Sequence, residues 1–534
     1  MSGRILMLLS MGLLLLGYLF YSRKAAVWFG ISNQKSTPAH QKKDGIDYVP
    51  TPLAVLFGHH FASIAGAGPI VGPVLAASYG WLGVLVWLVL GSILAGGIHD
   101  MGAIAASTQH EGKSIGEIIG RYINPLGQKI FLAFAWVTLI LVIAAFDVIV
   151  AKTFVASPPV ATASLLFLLL ALIFGVLRYQ KGVALLPLTI LGILGLIGSL
   201  ALGFLWPLKL EASTWRYLLF VYVFIASITP VWVLLQPRDY LNAFLLYGLL
   251  FGGLVGLLVK GPVVRLPVFT GFENELGPMF PLLFVVASCG AISGFHSLVG
   301  SGTTAKQLDK ASHARVIGYG GMLLEAVLGL IALMSVAMLN LSQFHHVLKA
   351  KGPIAAFAGG VGSFLATLGI PHATAMAFAA LAVSAFALTS LDTATRVARF
   401  TLEELLESHG SKQRLFTTGV SVLAAATLAL SGTWKLIWPL MGSANQLLAA
   451  LALLALTMWL FSVKRPFLFV AIPAAFMFVV TLSALFLLLT KNLLLRHYLL
   501  ALLACALLAL AVYLLAASVR KYIYTPGRSP HKTL

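Results

Sequence analysis

Val55-Leu56-Phe57-Gly58-His59-His60-Phe61-Ala62-Ser63-Ile64-Ala65-Gly66-Ala67-Gly68-Pro69-Ile70-Val71-Gly72-Pro73 is the stretch on which the fold turns. It sits in an apolar run, 51–79, long enough to cross a bilayer. Yet Gly66, Gly68, Pro69, Gly72 and Pro73 interrupt it, so it does not read as one smooth helix. A break at bilayer depth frees N–H and C=O groups that lipid cannot satisfy, and such groups must line a cavity. The half-helix that follows the break offers free N–H groups and a partial positive charge, which suits a carboxylate.

A second stretch repeats the pattern. Ser63-Ile64-Ala65-Gly66-Ala67-Gly68 matches Ser297-Leu298-Val299-Gly300-Ser301-Gly302, each a serine, two apolar residues, Gly, a small residue and Gly. His60 precedes the first copy and His296 the second. The topology derived below runs the two segments in opposite directions, which is the mark of an inverted repeat. Glycines at this spacing also serve close helix packing. Two copies, each with a histidine and a serine, favour a site instead. The candidate binding residues are His59, His60, Ser63, Gly66, Gly68, Ser293, His296, Ser297 and Gly300.

Composition supports a lipid solvent. Hydrophobic residues make up 60% of the chain and charged residues 10%, well under half the charged share of an average soluble domain, about 25%. Continuous Leu-rich runs, rather than alternating ones, exclude a β-barrel. The net charge of +19 lies between apolar runs, which gives no basic patch for nucleic acid. Cys289 and Cys505 both fall in apolar runs, and no disulfide, metal site or cofactor is read from them.

The predicted class is an all-α polytopic membrane protein with about 15 or more spans: 5–22, 51–79, 81–106, 129–151, 161–178, 182–206, 217–236, 242–259, 277–304, 314–341, 372–391, 414–431, 434–462, 467–489 and 496–519. The first is read as a retained helix, since Ser22-Arg23-Lys24 follows it instead of a small-residue cleavage site. The Gly-rich stretch 353–370 reads as a re-entrant or extracytoplasmic hairpin. With the N-terminus outside, the loops assigned to the cytoplasm carry 24 of the 35 Lys and Arg, as the positive-inside rule requires. The expected organisation is an N-terminal helix and linker (1–50), a first repeat with an inserted hairpin (51–259), a second repeat (277–462), and C-terminal peripheral helices with a basic tail (463–534).

Several motifs closely resemble the carbon starvation protein A (CstA) family. They are Asp44-Gly45-Ile46-Asp47-Tyr48-Val49-Pro50-Thr51-Pro52 leading into 55–73, Gly97-Ile98-His99-Asp100-Met101, Trp232-Val233-Leu234-Leu235-Gln236-Pro237-Arg238-Asp239-Tyr240-Leu241, and Phe295-His296-Ser297-Leu298-Val299-Gly300-Ser301-Gly302-Thr303-Thr304. The likeness runs from about residue 40 to beyond 450. It implies an inner-membrane, multi-pass secondary transporter of the amino acid–polyamine–organocation superfamily, with a LeuT-like inverted-repeat core; the charge bias puts the C-terminus in the cytoplasm. Members are described as peptide transporters or pyruvate–proton symporters, and both substrates carry a carboxylate. On the LeuT-like plan 51–79 is the first core helix, 277–304 the sixth and 372–391 the eighth. Two of the seven spans between 51 and 259 are then extra, and 217–259 reads as the inserted hairpin.

Ionisable groups inside spans are costly and default to functional candidates. Asp147 and Glu325 sit mid-span and are candidates for proton coupling, with a locked structural ion pair as the alternative. Asp392 is placed at the end of the eighth core helix, after Thr389 and Ser390, whose hydroxyls resemble a sodium-ligating pair; they also suit back-bonding to the preceding turn. Protons are expected to drive transport rather than sodium, because imidazoles and buried carboxylates titrate. His99-Asp100 is read as a structural pair, and Asn445 and Gln446 as binding neighbouring helices. The rival readings are a membrane-embedded hydrolase using Ser63 and His60, which share a helix face at i, i+3, and a nutrient sensor that moves nothing.

Overall fold

The computed structural model describes residues 2–45, 47–230, 233–408, 410–430 and 434–524. Trp232 of the quoted motif and most of the basic tail lie outside the described residues. Almost everything described is helical, with one two-residue hairpin pairing Glu273–Asn274 with Gly277–Pro278.

In chain order the helices are α1 (Gly3–Trp28), α2 (Leu53–Ile64), α3 (Gly68–Ala76), α4 (Trp81–Gln109), α5 (Pro125–Ala156), α6 (Pro158–Gln180), α7 (Leu185–Leu205), α8 (Ala212–Ile228) and α9 (Leu235–Lys260). They continue with α10 (Met279–Val286), α11 (Gly294–Val299), α12 (Arg315–Ala337), α13 (Leu341–Ala366), α14 (His372–Leu405), α15 (Ser411–Leu430), α16 (Leu440–Ser462), α17 (Leu468–Leu494) and α18 (Leu500–Ile523). Among the described residues twelve helices are long and apolar enough to cross a membrane, or thirteen with the bent pair α2–α3 taken as one span.

The count falls short of the expected fifteen for a physical reason. The helix overlapping 217–236 is α8, Ala212–Ile228, only 17 residues long, and 277–304 is cut into short pieces. Exposed leucines, isoleucines and phenylalanines on α1, α7, α15, α17 and α18 form the outer, lipid-suited faces. By contrast, α5, α12, α14 and α16 are the most enclosed, and α14 packs chiefly against α5.

Three local expectations are corrected. The stretch 353–370 is no hairpin. It is the second half of α13, which is kinked at Gly352 (φ 77°). Pro353 supplies the reason: it cannot donate an N–H to the preceding turn, and the helix restarts from it. Asp392 does not end its helix. α14 runs 34 residues to Leu405, so Asp392, Arg396 and Arg399 are all buried within it. Arg238 likewise is not a loop charge but a fully buried residue in the first turn of α9. Three cations assigned to the cytoplasmic loops are thus internal groups.

A broken-helix polar centre

The first break lies where the sequence places it. α2 ends at Ile64, α3 begins at Gly68, and the two axes bend by 44°. The Gly66 N–H folds back to the Ile64 carbonyl (2.8 Å), and the Ser390 hydroxyl of α14 donates to the Ser63 carbonyl (3.0 Å). Ile70 and Val71 donate to Ala67, and Pro69 has no N–H. Among the described residues the Ala67 and Gly68 N–H groups make no backbone bond.

Close approach explains the glycines here. A Cβ on Gly66 would stand 2.7 Å from Ser390 Oγ and 3.2 Å from Phe146 Cζ, and one on Gly68 would stand 2.6 Å from Cys289 Sγ.

The second break is not where the repeated motif predicts. It spans 287–293, ahead of His296, and Gly300 and Gly302 lie in a helical stretch wound in the wider π form. The two serine–glycine motifs therefore occupy different places relative to their breaks. Gly300 packs towards Ile104 of α4 instead of facing the cavity. What opens the chain at 287–293 is its surroundings. Asn445 of α16 accepts from the Phe295 N–H (2.8 Å) and donates to Ser293 Oγ (3.1 Å), and Gln446 donates to the Ile292 carbonyl (3.2 Å). Unspent donors and acceptors are taken up by neighbouring side chains, as a bilayer interior demands. Gly294 and Gly96 complete the fit: a methyl on either would collide with the backbone carbonyl of Asn445 or Ala291.

Between the two breaks lies a largely apolar cavity lined by Gly66, Gly68, Phe146, Cys289, Ser293, Ser390 and Asn445, among others. Of the nine candidate binding residues, it takes in Gly66, Gly68 and Ser293. Ser390, expected as an ion ligand, also lines it.

The remaining candidates form buried polar chains beside the cavity. Asp100 is their hub. Its two oxygens meet His99 Nδ1 (2.7 Å) and His296 Nδ1 (2.8 Å), so it joins α4 to α11. The other ring nitrogen of His296 lies 3.2 Å from Glu325 of α12 in an ion-pair contact too bent for a hydrogen bond, and both Glu325 oxygens are without a donor. The expected His99–Asp100 pair is real, but it is one link of a longer chain.

His59 and His60 point to different partners, as adjacent residues on a helix must. His59 Nδ1 contacts Asp239 (2.8 Å), and His60 Nδ1 contacts Thr304 (2.8 Å). Asp239 is bound by Arg238 (2.7 Å), whose guanidinium also pairs with Asp392; Tyr222 donates to Asp392 (2.5 Å). Thr389 accepts from Asn242 of α9 (2.7 Å). Ser63 donates to the His59 carbonyl (2.8 Å) and accepts from Thr393 (3.1 Å). Ser63 and His60 thus form no nucleophile–base pair. Ser297 donates back to Gly294 (2.7 Å). Asp147, one residue from Phe146, is buried with neither oxygen hydrogen-bonded.

Asp100, Arg238 and Asp239 were missed as site residues although all three stand inside the quoted motifs. The signal was present: each is charged, within or beside an apolar run.

The fold and site define a polytopic helical membrane protein whose polar centre is built on interrupted helices and buried ionisable chains. More narrowly, the chain belongs to the carbon starvation protein CstA family, whose model matches residues 2–349 and 342–484. It is 34% identical to the peptide transporter CstA of Escherichia coli K12, over 88% of this chain and 79% of that protein. It is 31% identical to the peptide transporter CstA of Bacillus subtilis 168 (90% and 89% covered) and 31% identical to the pyruvate/proton symporter BtsT of E. coli K12 (89% and 80%). A solved structure, the manganese transporter of Eremococcus coleocola, superposes with a TM-score of 0.49 at 14% identity, over 90% of this chain and 99% of that one.

Proposed function

We propose that this protein is a proton-coupled secondary transporter that imports a small carboxylate, pyruvate or a short peptide, by alternating access across the inner membrane. The observation that carries the reading is the cavity between the two helix breaks, with the Glu325–His296–Asp100–His99 chain packed beside it. An interrupted helix supplies N–H groups for a carboxylate without placing a fixed charge in the bilayer. A chain of imidazoles and carboxylates supplies groups that gain and lose a proton. The LeuT-like plan fits two broken helices beside the long pair α5 and α14, with the N-terminus outside and the C-terminus in the cytoplasm. Relatives named for peptide and for pyruvate–proton symport agree with a carboxylate cargo.

Two experiments test this. Counterflow of labelled pyruvate and of a labelled dipeptide in proteoliposomes separates a transporter from a sensor or a hydrolase, since neither rival exchanges label. Accumulation under an imposed pH gradient, compared with a sodium gradient at equal pH, identifies the coupling ion. Accumulation that follows sodium and ignores pH moves coupling to Thr389 and Ser390.

A further inference from the structure

One turn of α14 separates Ser390, at the break cavity, from Thr393, which lines a second and narrower pocket on the side that the charge bias assigns to the cytoplasm. This second pocket is walled by His59, Thr303, Lys306, Gln307, Arg396 and Asp47. Lys306 and Arg396 therefore share this pocket with the Asp47 carboxylate.

Neither cation is well matched. Arg396 is 2% exposed. One of its terminal nitrogens is spent on the Ala226 and Thr229 carbonyls, its Nε has no partner, and the other terminal nitrogen is 3.9 Å from Asp47. Among the described residues Lys306 makes no ion pair within 4.0 Å; its ammonium lies over the rings of Phe400 (4.7 Å) and Tyr48 (5.6 Å). Burial, with Asp44 and Asp47 close by, pushes the Tyr48 phenol up to about 12, so it meets Lys306 as a neutral ring. His59 adds an unpartnered Nε2 to the same wall. Buried cationic nitrogen without a full complement of acceptors is costly unless an anion visits.

We infer that Lys306 and Arg396 form a second carboxylate station, on the cytoplasmic side of the break cavity, and that Asp47, 3.9 Å from Arg396, stands beside it here as a tethered stand-in for substrate. Asp47 begins a strap, 47–52, that is pinned to the segment after α11 by the Thr51 N–H on the Gln307 carbonyl (3.1 Å). Beyond Asp47 the pocket meets a wider polar vestibule that shares Asp47, Gly302, Lys306 and Phe400 with it. A substrate carboxylate leaving the break cavity would displace Asp47 and then exit through this vestibule.

The inference rests on a carboxylate cargo and is tested face by face. Half-saturation for pyruvate is measured from each side in oriented proteoliposomes. Removing the stand-in with Asp47→Asn lowers the cytoplasmic-side value, and Lys306→Gln raises it, each about three- to tenfold, while the outer-side value moves less than about twofold. Equal shifts on both faces, or no cytoplasmic-side decrease in Asp47→Asn, overturn it.

If the wild type carries neither pyruvate nor peptide, the transport reading fails by itself. The station is then read by labelling Asp47→Cys with anionic and cationic methanethiosulfonates. Faster reaction with the anionic reagent supports the station, and equal or slower reaction overturns it.

Discussion

Ser390 of α14 donates its hydroxyl to the carbonyl of Ser63 at 3.0 Å, binding the end of α2 to a residue 327 positions away. The bond satisfies one acceptor that the helix break frees, and it does so at the cavity wall. Ser390→Ala is expected to cost about 1 kcal/mol of stability and to slow uptake roughly tenfold, since a group at the break is lost with it. Uptake per membrane-inserted molecule checks this. A wild-type rate would show that the break holds its shape without the bond.

Asp100, through His296, connects to Glu325. If this chain carries the coupled proton, Asp100→Asn and Glu325→Gln abolish accumulation driven by a pH gradient yet leave counterflow, which needs no net proton movement. Both readouts come from one vesicle preparation. Persistent pH-driven accumulation in both variants would place coupling elsewhere, with buried Asp147 the next group to change.

Gly66→Val and Gly300→Val are expected to behave differently. At Gly66 any side chain meets Ser390 and Phe146 at the break, and uptake should vanish while the protein still reaches the membrane. At Gly300 the neighbour is a flexible Ile104 side chain at 3.1 Å, so the cost is overpacking of about 1–3 kcal/mol. Uptake and thermal unfolding in detergent, read side by side, distinguish the two. Equal loss of uptake without destabilisation in Gly300→Val would return that glycine to the cavity.

Arg238 is fully buried between Asp239 and Asp392. Asp392→Asn removes one of its two carboxylates while Asp239 remains, and should destabilise by about 1.5–3 kcal/mol, the worth of a charge-assisted contact. The yield of monodisperse protein falls accordingly. Adding Arg238→Met to Asp392→Asn should deepen the loss, because the buried Asp239 carboxylate then keeps only His59 as a partner. Recovery of yield in that double variant would show that Asp239 does not depend on Arg238.

The sequence by itself determined the solvent, the helical class, most span positions and the first break. Each follows from local facts: apolar runs of bilayer length, and glycine and proline where a helix needs neither. It also marked the motifs that carry family membership. It could not place the second break. The Ser297–Gly302 motif looks like its partner locally, but 287–293 opens because Asn445 and Gln446, some 150 residues on, take up its backbone groups. Nor could hydropathy tell a loop cation from a buried one. Arg238 and Arg396 read as cytoplasmic charge until α8, α9 and α14 came together and gave them acceptors. Burial of charge is decided by partners distant in sequence, and only the tertiary structure supplies them.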